Sequence, residues 1–224
     1  MREAGTRELA RERKARLDGG RPRHDDGGAA EEETVTAMSQ AAMRRQDKAM
    51  GADEIETILA RARLAHFATV DGDGTPYVVP NLFVHAEGKL FLHTTAARGH
   101  FRRNVERDPR ISFDIAEMGE VFAYGEFECD TSASYASLVG FGRVAIIADR
   151  EAKATFFDRF MAKYADPQWQ RPKSFYPRLD EVTVYCLTPE RITGKTGPLP
   201  PRAEQWPARN QTRSPGAVPP ARRS

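Results

Sequence analysis

Four cationic side chains, Arg98, His100, Arg102 and Arg103, fall within six residues, directly after a run ending in Thr94-Thr95. Guanidinium groups bind phosphate in bidentate fashion, and the free N–H groups of a helix N-terminus add to that grip. The segment TAARGHFRRN therefore has the makings of an anion site at the start of a helix. The plainer explanation is a solvated basic helix face. The remaining inventory offers less. The serines lack a Gly-x-Ser-x-Gly setting. There is no Walker loop, and Gly140-Phe141-Gly142 lacks the third glycine of a dinucleotide fingerprint and runs on into a β-rich segment. His66, His85, His93 and His100 form no His-x-x-x-His pair and no cluster with Cys129 or Cys186, so no metal is expected. Trp169 and Phe175, in the linker QWQRPKSFYP, have planar faces that either stack on a ligand or pack against the fold.

The elements that position these residues are legible from periodicity. Residues 52–63, ADEIETILARAR, put Ile55, Ile58 and Leu59 at helical spacing, with Asp53 as the expected N-cap and Glu56 three residues on. Three β-rich runs follow at 64–70, 75–86 and 90–95, separated by Asp-Gly and Glu-Gly turns, the pattern of an antiparallel meander. RGHFRRNVER reads as a short helix stopped at Asp108-Pro109. Strands are expected at 110–117, 120–129, 138–148 and 181–188, and a helix at 149–164 with Phe156, Phe157, Phe160 and Tyr164 on one side. Most connections are too short for parallel crossovers, and closing such a meander removes its edges. The expected class is α+β, built around a small antiparallel barrel of about six strands with flanking helices. Gly140 and Gly142 inside a strand pattern predict a bulge or a close backbone approach. Both cysteines fall in strand patterns and are expected to be buried and inert.

Composition bounds the rest. The chain has 224 residues and a formal net charge of +2. Residues 1–50 hold 11 Lys/Arg against 10 Asp/Glu, residues 51–195 hold 18 against 21, and residues 196–224 hold 5 against 1. The core is thus mildly acidic, and the cluster at 98–103 is its one concentrated positive patch. Residues 196–224 also carry seven of the 15 prolines and show no period, so they read as a disordered Pro/Arg-rich tail. Residues 1–50 read as a disordered charged extension, leaving 51–195 as the folded domain. The extension's nearly balanced charge argues against a nucleic-acid arm. No run approaches the ~18 apolar residues of a membrane span. The charged start lacks the apolar stretch of a secretory signal, and two cysteines are too few for a disulfide framework. The expected setting is the reducing cytoplasm.

The string ARLAHFATVDGDGTPYVVPNLFVHAEGKLFLHTTAARGHFRRNVERDPRISFDI resembles the FMN-binding split-barrel superfamily typified by pyridoxamine 5'-phosphate oxidase. CDTSASYASLVGFGRVAIIADREAKATFFDRFMAKY and TVYCLTPERITGK are closer to its nitroimidazole-resistance-like branch. The resemblance spans about residues 52–195 and implies a split β-barrel that binds FMN as a homodimer, with the cofactor at the subunit interface. It further implies that Pro80, Asn81, Leu82 and Phe83 run along the isoalloxazine ring. His93, Thr94 and Thr95 would lie near the ribityl chain and phosphate, with Arg98, His100 and Arg102 gripping the phosphate. Tyr135 and Ser137 would come from the partner subunit, with Arg191 and Lys195 nearing the cleft. The implied activity is a flavin-dependent oxidoreductase acting on a small molecule. The alternative is a non-catalytic module that holds flavin, deazaflavin or haem. One departure stands out: the superfamily's usual lysine after the residue matching His100 is Phe101 here, which cannot neutralise a phosphate.

Overall fold

In the computed structural model, the described residues are 43–125, 127 and 129–205. They form seven strands: β1 (Ala65–Val70), β2 (Pro76–Asn81), β3 (Phe83–Ala86), β4 (Lys89–Thr95), β5 (Arg110–Ala123), β6 (Thr131–Ile147) and β7 (Val182–Gly197). The helices are α1 (Ala52–Arg61), α2 (His100–Arg107) and α3 (Arg150–Tyr164). All pairings are antiparallel, in the order β2-β1-β5-β6-β7-β4-β3. β2 and β3 stand at opposite edges of that order, yet only Leu82 separates them in the chain. The sheet must therefore curl until its two edges come side by side, which is a barrel with one unpaired seam. The expected α+β split barrel is thus the observed architecture.

Three differences from the expected elements share a cause. The run 75–86 breaks at Leu82 into two strands, because that residue carries the chain across the seam. Segments 110–117 and 120–129 merge into β5, with a register shift between Met118 and Val121. β6 starts at Thr131, seven residues before the expected strand at 138–148, and β7 runs through Pro189 to Gly197. Backbone pairing between β6 and β7 overrides weak β-propensity in both stretches. Thr196 and Gly197, placed by the sequence reading in the tail, pair with Ala136 and Tyr135. A 3-10 turn at Arg202–Glu204 follows. Residues 1–42 and 206–224 lie outside the described residues, as do the expectations made for them.

The core lies inside the barrel. Phe67, Phe83, Leu90, Leu92, Phe113, Leu138, Tyr185 and Leu187 point inward, joined by Ile58 and Leu59 of α1 and by Phe101 and Val105 of α2. Each such side chain contributes about 1.5–3 kcal/mol. Gly140 makes room for the Phe113 ring, and Gly142 lets β6 approach the Thr188 carbonyl where the β6–β7 register shifts. α3 packs outside, over β3, β4 and β7, through Phe156, Phe157 and Phe160 against Val84, Phe91 and Val184. Its N-cap is Asp149, whose carboxylate accepts from Ala152 N–H at 2.7 Å. The N-cap of α1 lies two residues earlier than expected: it is Gly51, not Asp53, and its N–H donates to Glu54 at 2.9 Å.

Candidate functional site

The residues that the sequence singled out divide into two groups, towards opposite ends of β7. The first surrounds α2. The β1–β2 turn holds Asp71 against this helix, where its carboxylate meets His100 Nε2 at 2.7 Å, and the His100 ring stacks on Tyr77 at 4.2 Å. Gly72 N–H and His100 together hold the Asp71 carboxyl below the ordinary carboxylate range. Glu106 accepts from both Arg102 (2.8 Å) and Arg98 (2.5 Å), and these two guanidiniums likewise hold its carboxyl below the ordinary carboxylate range. Arg102 also donates to Ala96 C=O and to Thr183 Oγ1. Arg103 donates to the Arg98 carbonyl. The basic cluster exists, but Glu106 and Asp71 face it. It remains net positive at the helix end where N–H groups lack intrahelical partners, so it fits an anionic group that competes with those carboxylates.

Several expected ligand contacts are packing contacts instead. Phe101, at the position of the superfamily's lysine, is buried in the core with its ring edge-on to Tyr185 at 5.1 Å. A lysine there would bury a charge, so the substitution is no route to tighter phosphate binding. His93 points out of the barrel beneath α3, where Phe156, Phe157 and Phe160 frame its ring at 5.1–5.6 Å. Its Nδ1 is buried without a partner, and burial lowers its pKa. Its carbonyl accepts from Asn81 Nδ2, which ties β2 to β4 across the seam. Phe83 is fully buried, and Tyr164 OH occupies both its N–H and its C=O. Thr94 Oγ1 pairs with Tyr185 OH inside the barrel, while Thr95 is exposed. Cys129 is exposed in the turn before β6, contrary to its expected burial; Cys186 is half-buried in β7, and burial raises its thiol pKa.

The second group lies on the outer face of the sheet away from α3. Cross-strand partners share a face, so the register places Val78, Pro80, His66, Asp114, Val139, Ser137, Thr193 and Lys195 together. This face is open and carries exposed apolar side chains among the polar ones: Val78 is 56% and Val139 43% exposed, with Val70, Leu82 and Met118 also exposed. β2 is an edge strand, so one side of its backbone has no ladder partner. Tyr135, opposite Gly197, lies further along β6, with Lys48 Nζ 5.4 Å above its ring. A cavity of about 980 Å³ opens there, lined by Lys48, Phe122, Tyr124, Ser132 and Thr196 among others. Trp169 and Phe175 are both exposed, so their linker does not bury them against the barrel. The pair His66–Asp114, 3.2 Å apart, was not singled out in the sequence. Strand alternation puts each on an outer face, but their juxtaposition depends on register.

The profile of the family described as pyridoxamine 5'-phosphate oxidase matches residues 51–196. The chain belongs to this family. Solved structures agree on the fold. The flavocytochrome Anf3 of Azotobacter vinelandii is 21% identical, with a TM-score of 0.62 over 75% of this chain and 79% of that one. The FAD and heme binding protein of Mycobacterium smegmatis is 20% identical, with a TM-score of 0.56 over 70% and 78%. A candidate 5-nitroimidazole antibiotic resistance protein of Bacteroides thetaiotaomicron is 24% identical, with a TM-score of 0.55 over 66% and 85%. No curated protein matches the chain. Membership in the oxidase family accounts for the split barrel. Among the described residues no helix is long and apolar enough to cross a membrane.

Proposed function

We propose that this chain is an FMN-dependent oxidoreductase that acts on a small molecule between two copies of itself in the cytoplasm. One observation carries the reading: the basic cluster and Lys195 lie towards opposite ends of β7 in one chain. Thr183, which Arg102 touches, and Lys195 lie twelve residues apart on β7. That is about 40 Å of strand at ~3.3 Å per residue. A second copy docked on the open apolar face would bring its own Ser137 and Lys195 to the ligand held by the first. A flavin supplies hydride chemistry when bound. The chain's own residues bind and orient it: the α2 N-terminus with Arg98 and Arg103 receives the phosphate, and the free edge of β2 offers N–H and C=O groups to the ring. Flavins and haem named for the structural relatives make this cofactor class a natural expectation here.

The second reading, a module that holds deazaflavin or haem without turnover, is favoured by Phe101 and by the carboxylates against the basic cluster. Titrating the purified protein with FMN while recording its visible spectrum and sedimentation separates the two. The proposal expects a dimer with bound flavin absorbance near about 450 nm. Val139→Asp should lose dimer and flavin together. A monomer, or a protein that stays colourless at saturating FMN, would sink the proposal.

A further inference from the structure

The cavity at the end of β7 is framed by backbone that is pinned on each side. Met50 N–H donates to Gly194 C=O at 3.0 Å and Ala49 bridges to Lys195, which ties the segment before α1 to β7. Tyr124 N–H donates to Asp130 C=O at 2.9 Å where β5 passes into β6. Gln205 Nε2 donates to Pro200 C=O at 2.8 Å across the turn after β7. The volume of about 980 Å³ falls in the range of small-molecule pockets, about 300–1,000 Å³. Its polar groups are unevenly committed. Asp47 is held by both Nε and Nη2 of Arg45, at 2.8 and 2.5 Å. Lys48 Nζ forms no ion pair among the described residues and lies over the Tyr135 ring. The hydroxyls of Tyr124 and Ser132 make no hydrogen bond among the described residues.

We propose that this cavity binds a small aromatic monocarboxylate, with Lys48 as its charge partner. An ammonium with no carboxylate of its own gives a ligand carboxylate a charge-assisted contact, and the two uncommitted hydroxyls supply further donors for its oxygens. Phe122 and the Tyr124 ring, with Pro198 and Pro200, give a planar ring its apolar walls. The charge balance sets the class. Arg45 is already neutralised by Asp47, and Glu204 also lines the cavity, so with Lys48 the wall carries no net positive charge. That balance admits a single carboxylate beside Lys48 and disfavours a phosphate dianion, the group assigned to the α2 end. The site is built from one chain and does not depend on the flavin reading.

The test is equilibrium binding of benzoate to the full chain, followed by calorimetry and saturation-transfer NMR. Benzamide serves as the uncharged ring and inorganic phosphate as the competing anion. Benzoate should saturate one site per chain and bind more tightly than benzamide by roughly tenfold, the effect of one charge-assisted contact. Phosphate should not displace it. Lys48→Met should erase the preference for benzoate while leaving benzamide binding as it is, which also shows the cavity to be intact. Lys48→Arg, which keeps the charge, should retain the preference. Tyr124→Phe should weaken benzoate by roughly threefold. FMN should bind equally with and without saturating benzoate. Failure of benzoate to saturate the wild type, or the same preference over benzamide in wild type and Lys48→Met, would overturn the inference. Displacement of benzoate by phosphate would overturn the ligand class. Displacement by FMN would overturn the separate site and leave the flavin reading standing.

Discussion

β7 is covered at its start and bare at its end. Its first residues pair with both β4 and β6 and lie under α3, so that Val184 is fully buried. Its last residues pair with β6 and, at Lys195, bridge to Ala49, and Thr193 and Lys195 lie on the face away from α3. Residues suggestive of chemistry meet different fates at the two ends. At the covered end His93, Phe83, Tyr164 and Phe101 are taken up by packing: His93 in an aromatic frame, the Tyr164 hydroxyl on the Phe83 backbone, the Phe101 ring against Tyr185. At the bare end Ser137, Lys195, His66 and Asp114 share an open face. Burial assigns the first set to stability; exposure on an apolar face leaves the second for a ligand or a second copy.

The sharpest way to break this contrast is Phe101→Lys. If the covered end is structural, the substitution removes a buried ring and places an ammonium beside Tyr185. The expected loss is on the order of 3–5 kcal/mol in denaturant unfolding. A variant of wild-type stability with tighter FMN binding would return the position to the ligand site. Asp149→Ala tests the same end more gently. It strips the N–H of Ala152 of its cap and should cost about 1 kcal/mol, because α3 holds the outer cluster on the sheet.

Lys163 allows the covered end to be probed by pH. Its Nζ is buried without a hydrogen-bond partner, 4.1 Å above the Phe83 ring. Desolvation, aided by Arg63, lowers its pKa to about 8. In the unfolded chain the group titrates near 10.4. Between those values the unfolded state holds the proton and the folded state does not, so stability rises with pH across that window. Lys163→Met should abolish the rise and stabilise the protein at pH 7, as seen in thermal melts at pH 7 and pH 10. A rise of the same size in the variant would mean that the ammonium is solvated after all.

Periodicity was enough to read the meander, the three helices and the close approach at Gly140–Gly142, because alternation and turn chemistry are local. It did not show where strands end once pairing overrides propensity, as at Thr131 and at Pro189–Gly197. The basic cluster was legible as composition, but not the carboxylates of Asp71 and Glu106 that meet it, one of which arrives from a distant turn. Phe101 was legible as a missing lysine, whereas its burial follows from which side of an eight-residue helix faces the barrel. His66 and Asp114 were invisible as a pair for the same reason: alternation gives a face, and only register gives a neighbour.

The bare end makes the opposite prediction, and the smallest in stability. Lys195 stands opposite Ser137 at the open face, and its backbone forms an isolated bridge with Ala49 that a side-chain change leaves in place. Lys195→Gln should therefore shift unfolding by no more than about 0.5 kcal/mol. If the side chain reaches a ligand held by the other copy, the same change should weaken FMN binding by roughly tenfold, the effect of one charge-assisted contact of about 1.5 kcal/mol. Mixing Lys195→Gln with a second variant defective at the other end, Arg98→Ala, sharpens the point. A site shared between copies recovers one intact cleft in the mixed dimer, since one partner supplies Arg98 and the other Lys195. A site built within a single chain recovers none, because each protomer still carries its own defect. Flavin bound per dimer in the mixture, compared with either variant alone, decides between them.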